Sequence, residues 1–178
     1  PRFLKDSGYA TAHYGKWHLA NDMIPDSPFP SAYGYDEYGS YNCAGPQMFV
    51  HDDVKSAIPF IEKSHAAGTP FFINLWIHEP HTPFHVDPKL QKLFPDLEEA
   101  DNVYAATLYH ADLRIGQLLE TLDRLEIRED TLVIFSSDNG PARGAPDSPL
   151  ALVYDSATGP GYGIGGAKGI TGGRRAFK

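Results

Sequence analysis

At 178 residues, with 42% hydrophobic and 21% charged side chains, the chain can bury one packed core and lacks the composition of a disordered segment. A net charge of -8 argues against wholesale binding to nucleic acid or anionic lipid, and no run of roughly 18 apolar residues is present to span a membrane. The single cysteine, Cys43, excludes an internal disulfide and any multi-thiolate zinc site.

Residues 2–7 are predicted as the end of a helix, with Gly8 as its stop, and residues 9–14 as a short strand running into Gly15. From Asn21 to Gln47 the density of Pro, Gly, Ser, Asp and Tyr predicts a long irregular excursion. Its tyrosines, Tyr33, Tyr35, Tyr38 and Tyr41, suit either stacking on a sugar or plain packing. Residues 51–66 have helical spacing, with Val54, Ile58, Ile61 and His65 on one face; Pro59 predicts a kink or a late start. Residues 70–77 form a nearly continuous apolar run, as in a strand buried on both faces. The next helix carries an apolar stripe through Tyr104, Leu108, Ala111, Ile115, Leu118, Leu122 and Leu125. Thr131–Ser136 reads as a second buried strand, and residues 140–176, rich in Gly and Pro, as a long functional loop. Strand, helix and strand in this order predict an α/β fold with a parallel sheet.

Each predicted strand runs into chemically able residues: Lys16 and His18 after the first, His78 and His81 after the second, Asp138 and Asn139 after the third. Ligands of open α/β sheets bind beyond the carboxyl ends of the strands, so parallel strands would bring these clusters to one edge. In an extended segment Lys16 and His18 share a face while Trp17 packs opposite. A lysine beside an imidazole suits an oxyanion, one as fixed charge and the other as proton carrier. A solvated Lys and a half-buried His flanking a core Trp is the plainer alternative. His78, His81 and His85 leave open a loop-borne zinc site, although Pro80 and Pro83 forbid a helical one. Asp138-Asn139 offers a carboxylate and an amide carbonyl, hard oxygens suited to Ca²⁺ or Mg²⁺, or else forms a simple Asp-Asn-Gly turn.

Three segments together resemble the sulfatase family: Gly8–Leu19 with its Gly-Lys-Trp-His, Pro80-His81-Thr82-Pro83, and Ser137-Asp138-Asn139-Gly140, in that order. The intervening helix, with Tyr104, Asp112 and Gly116, also fits the family pattern. The resemblance implies an alkaline-phosphatase-like α/β/α sandwich that hydrolyses sulfate esters. It implies that Asp138 and Asn139 ligate the active-site cation, Ca²⁺ with Mg²⁺ as the alternative, and that Lys16 contacts the sulfate and the nucleophile. His18 would orient the nucleophile and act as a base when the sulfated intermediate collapses; His81 would touch the sulfate and protonate the leaving oxygen. Lys178 is preferred over Lys168 as a second substrate lysine, because Gly172, Arg175 and Lys178 keep the family's spacing.

The family's nucleophile is a formylglycine made in a Cys/Ser-x-Pro-x-Arg motif, which this sequence does not contain. Cys43 lacks the flanking Pro and Arg and follows Lys16, so a structural role is expected for it. The paired aspartates that complete the family's metal shell are also missing, since Asp52-Asp53 falls at a helix start after Lys16. Residues 1–178 are accordingly expected to be part of a catalytic domain, without turnover of their own. The expected substrate is a sulfated small molecule or glycan, with no nucleic-acid partner, and the family implies a periplasmic or secreted location. The alternatives are a phosphodiester or phosphonate monoester hydrolase of the same superfamily, or a non-catalytic sulfatase-like binding protein.

Overall fold

The structure, a computed structural model, describes residues 1–19, 27–41, 48–140, 151–155 and 159–163. They fall into two compact units, the first built from Pro1–His78 with Leu113–Arg128, the second from Glu79–Asp112 and the described residues from Glu129 onward.

The first unit is a three-stranded parallel sheet with β1 (Ala10–Lys16) between β2 (Glu37–Tyr41) and β3 (Phe71–Trp76). Helix α1 (Arg2–Asp6) ends at Gly8, whose φ of +91° is the left-handed conformation that glycine allows without a Cβ clash. The central strand β1 (Ala10–Lys16) extends past the predicted end to include Gly15 and Lys16. Strand β2 (Glu37–Tyr41) lies inside the stretch predicted as irregular, and a 3-10 turn at Pro30–Tyr33 precedes it. The high Gly, Tyr and Ser content masked β2, but its carbonyls and amides pair with β1 in register Ala12↔Glu37 through Lys16↔Tyr41. Of the four tyrosines, Tyr35 and Tyr41 are buried, while Tyr33 and Tyr38 are exposed, Tyr33 edge-on to Trp17 and Tyr38 stacked on Phe29.

Period-two alternation divides β1 between two faces. Ala12 and Tyr14 pack on Ala57 and Phe60 of α2 (Asp52–Ala66), joined by Ile73 and Leu75 of β3 (Phe71–Trp76). On the opposite side Trp17, Tyr35 and Phe72 form a second apolar cluster. Strand β3 is thus apolar toward both faces, as predicted, but its residues are only half-buried because it is the edge strand of the described sheet. Helix α2 starts at Asp52 and runs through Pro59, which sits on the exposed side. Its buried residues are Asp53, Val54, Ala57, Phe60, Ile61 and Ser64, so the expected stripe holds at Val54 and Ile61, whereas Ile58 is half-buried and His65 exposed.

Helix α4 (Glu99–Arg124) contributes its last twelve residues to the first unit, where Leu118 packs on the sheet-side core. There Arg114, buried on α4, donates from Nη1 to the buried Asp53 carboxylate of α2. The predicted stripe holds at Ala111 and Leu122, whereas Leu108 is exposed and Thr107, Arg114 and Thr121 are buried in its place. Both threonines return their hydroxyl protons to the helix carbonyls four residues back, Val103 and Gln117, which lets polar side chains occupy a buried face.

In the second unit, α3 (Pro88–Gln91) is capped by Asp87, which accepts from the Lys89 amide at 2.8 Å. Asn102 near the start of α4 donates to the carbonyls of Gln91 and Phe94, tying this loop to the helix. An antiparallel pair, β4 (Ala151–Asp155) and β5 (Gly159–Gly163), occurs where the sequence predicted loop throughout. Gly161 permits it: a Cβ there would lie 2.7 Å from the Cβ of Pro83, beside the Phe84–Tyr162 bridge.

The predicted strand at Thr131–Ser136 is not formed. Leu132, Ile134 and Phe135 are 80–85% exposed, and no ladder joins the segment to a neighbour among the described residues. Residue type gives such a run its β propensity, but a strand exists only where another backbone supplies hydrogen bonds.

Candidate active site

The carboxyl edge of the first unit's sheet is set by register. Lys16 pairs with Tyr41 and Gly15 with Trp76, so β1, β2 and β3 end together. Lys16 is half-buried, Trp17 is 1% exposed and His18 is exposed, the alternation expected of an extended segment. Trp17 anchors the segment twice: its amide donates to the Tyr41 carbonyl at 2.9 Å, and its ring lies parallel to Trp76 with centroids 6.0 Å apart. Lys16 and His18 are therefore held on either side of a fixed indole. His78, just past β3, is buried edge-on to Tyr41.

A residue the sequence reading passed over lies beneath this edge. His13 is fully buried on β1, with ring centroids 4.8 Å from Trp17, 5.0 Å from Trp76 and 5.5 Å from Tyr35. Its Nε2 lies 3.1 Å from the Lys16 carbonyl and donates to it. Burial depresses its pKa from 6.5 to about 4, although the Lys16 and Gly15 carbonyls favour the proton. The signal available was strand alternation, which places residue 13 on the side opposite Ala12 and Tyr14.

In the second unit His81 is exposed, and its Nδ1 donates to the Thr82 carbonyl. The loop is pinned three residues later by Phe84, buried edge-on against Tyr104 and hydrogen-bonded through both backbone groups to Tyr162. Burial raises the Tyr104 phenol above its ordinary value, so that side chain stays neutral. His85 is half-buried. The buried Glu79 brings a carboxylate oxygen within 4.8 Å of a ring nitrogen of His110, a pairing between loop and helix that no spacing rule suggests.

Asp138 is exposed and Asn139 half-buried, in a bend rather than at the end of a paired strand. Ser137 Oγ donates to the Asn139 carbonyl at 2.5 Å, and Asn139 Nδ2 donates to Gly140 at 2.6 Å. With its nitrogen so engaged, the amide presents Oδ1 as its acceptor end. One carboxylate and one amide oxygen fit a hard divalent cation, and they fill only part of a shell of roughly six to eight oxygens. Lys168, Lys178 and Cys43 lie outside the described residues.

Comparison with known proteins decides what these segments belong to. The sulfatase family model matches residues 1–171. The chain belongs to the sulfatase family. It is 30% identical to the ulvan-active sulfatase of Formosa agariphila over 81% of its own length and 35% of that protein. It is 23% identical to human iduronate 2-sulfatase, again over 81% of this chain and 40% of the relative. Among solved structures, Ps i-CgsB matches with a TM-score of 0.67 at 24% identity, over 78% of this chain and 39% of that one. The shared fold makes the α/β sulfatase architecture of this chain plain. The chain spans about a third to two-fifths of the length of the curated relatives it matches.

Proposed function

We propose that this sulfatase chain supplies the substrate-facing residues of a sulfate ester hydrolase. The observation that carries the reading is Lys16-Trp17-His18, within a sulfatase match over residues 1–171, at the carboxyl edge of a parallel sheet. In this reading Lys16 sets a fixed positive charge against the sulfate oxygens. His18, exposed next to the buried Trp17, orients the attacking group and moves its proton. His81 in its imidazolium form, with Nδ1–H held by the Thr82 carbonyl, delivers the Nε2 proton to the departing oxygen. Lys178 is the second lysine for the same anion, with Lys168 its competitor.

Asp138 and Asn139 would hold Ca²⁺, or Mg²⁺, with further oxygens from outside this pair. When bound, such a cation neutralises charge on the sulfate oxygens and polarises the ester. The sequence contains no Cys/Ser-x-Pro-x-Arg motif, and the relatives it matches are two to three times longer. The formylglycine is therefore assigned to polypeptide outside these 178 residues, and the chain alone is predicted to be inactive. One similar solved structure is described in complex with k-i-k-neocarrahexaose, and a relative is named ulvan-active. Both support a sulfated glycan as substrate class here, in keeping with a periplasmic or secreted enzyme.

The test is hydrolysis of a chromogenic aryl sulfate, a sulfated oligosaccharide and a matched phosphonate ester by the longer gene product. Preference for either sulfate supports the reading. Turnover of the phosphonate ester alone would move the chain to a phosphoryl-transfer enzyme of the superfamily, and turnover of none would favour a binding protein.

A further inference from the structure

The strand end that presents Lys16 rests on a buried imidazole. His13 lies two residues before Gly15, 0% exposed, in a cage of Trp17, Trp76 and Tyr35. Its neighbours are themselves fixed. Asn74, paired with His13 in register, donates its amide proton to the Tyr35 hydroxyl, and Trp17 stacks on Trp76. Among the described residues Nδ1 has no hydrogen-bond partner, while Nε2 faces the Lys16 carbonyl at 3.1 Å. A single donor on Nε2 and a bare Nδ1 define a neutral imidazole in one tautomer.

A core histidine needs no such target, and a leucine would fill the cage with less desolvation cost. What the imidazole adds is one N–H aimed at the main chain of the residue whose side chain meets the substrate. The Lys16 carbonyl lies where β1 ends and Trp17 turns to hydrogen-bond with Tyr41, so it is the point at which the direction of Lys16 and His18 is decided.

We propose that His13 is a positioning residue for the sulfatase site: its Nε2–H holds the Lys16 carbonyl and its ring braces Trp17, fixing the segment that carries Lys16 and His18. The catalytic part of this proposal rests on the sulfatase reading; the clamp itself does not.

The groups facing His13 from the packed elements are the Trp17 and Trp76 indoles, the Tyr35 phenol, and the Gly15 and Lys16 carbonyls. Burial raises the Tyr35 pKa, partly offset by Asn74, so it is uncharged while His13 titrates. The chain has two tryptophans and both touch this ring, so intrinsic fluorescence reads the clamp directly. An imidazolium in contact with indole quenches its emission.

In the 178-residue chain, tryptophan emission is expected to fall in an acid transition near pH 4, well below the 6.5 of a free imidazole. His13→Gln, whose amide can still donate, should keep the emission maximum and lose the transition. His13→Leu should lose the transition and shift the emission maximum, since Lys16 is no longer held. In the longer gene product, His13→Leu should lower kcat for an aryl sulfate roughly ten- to hundred-fold with little change in KM, and His13→Gln should restore most of it. A midpoint near 6.5, or His13→Leu with unchanged emission maximum and unchanged kcat, would overturn the proposal. Failure of the unsubstituted protein to hydrolyse any sulfate, with the acid transition intact, would instead sink the sulfatase reading and leave the clamp standing. Should His13→Leu not fold, the fluorescence titration of His13→Gln decides.

Discussion

Gly15 and Trp76 approach so closely that a Cβ on Gly15 would stand 2.1 Å from the Trp76 carbonyl oxygen, and Gly15 itself has a φ of +105°. Both facts demand glycine, and the contact is with backbone that cannot swing aside. Gly15→Ala is predicted to cost on the order of 2–4 kcal/mol, combining a forbidden φ with a clash across the β1–β3 pair. Chemical denaturation checks this; a midpoint within error of the parent would show that the strands do not close in this way.

The Asp53–Arg114 pair is buried on both sides. Removing one partner leaves a charge with no solvent, so Arg114→Leu is predicted to destabilise by about 3–5 kcal/mol. The double variant Asp53→Leu/Arg114→Leu should recover a large part of that loss, because the uncompensated carboxylate is gone. A double-mutant cycle in urea measures the coupling, and strictly additive losses would contradict it.

Acid should weaken the first unit in two steps. His13 binds its proton less readily when folded, with its pKa lowered from 6.5 to about 4 by burial. Between those values the unfolded chain holds more protons, so stability rises with pH there and is lost as pH falls from 6.5 toward 4. Partial burial pushes the Asp36 carboxyl up, but Lys5 and the Thr11 amide and hydroxyl outweigh it and hold the group below its ordinary 3.8. Its contribution is present above 3.8 and disappears as pH falls through the lowered folded value. Denaturation midpoints followed from pH 7 to 3 should show His13→Gln flattening the first step and Asp36→Asn only the second.

Leu132, Val133, Ile134 and Phe135 are 85%, 50%, 80% and 82% exposed in a row. Consecutive exposed apolar residues of this kind, with no strand partner among the described residues, promote edge-to-edge association. The purified 178-residue chain is predicted to self-associate at micromolar concentration, and Ile134→Lys to raise the monomer fraction in sedimentation velocity. A fully monomeric parent would contradict this.

The motifs were legible because they are local: a residue order such as Gly-Lys-Trp-His or Ser-Asp-Asn-Gly survives without knowledge of what packs nearby. Likewise α2 and α4 announced themselves through period, although Thr107, Arg114 and Thr121 could be placed on a buried face only by their specific partners. Strand β2 was hidden because Glu37-Tyr38-Gly39-Ser40-Tyr41 has little strand character of its own and depends on pairing with β1. The converse held at Thr131–Ser136, where strong strand character met no described partner. His13 was overlooked because its significance lies in contacts with Tyr35 and Trp76, distant in sequence and adjacent only once β1 and β3 pair.

The central claim is that Lys16 serves a sulfate ester hydrolase whose nucleophile lies outside these 178 residues. Its most direct test is turnover of a chromogenic aryl sulfate by the longer gene product, its Lys16→Ala variant and the 178-residue chain, assayed side by side with Ca²⁺ present. The account predicts turnover by the first, a loss of roughly 10²–10³ in kcat for the second, and none by the third. Hydrolysis by the 178-residue chain alone, or undiminished turnover by Lys16→Ala, would contradict it.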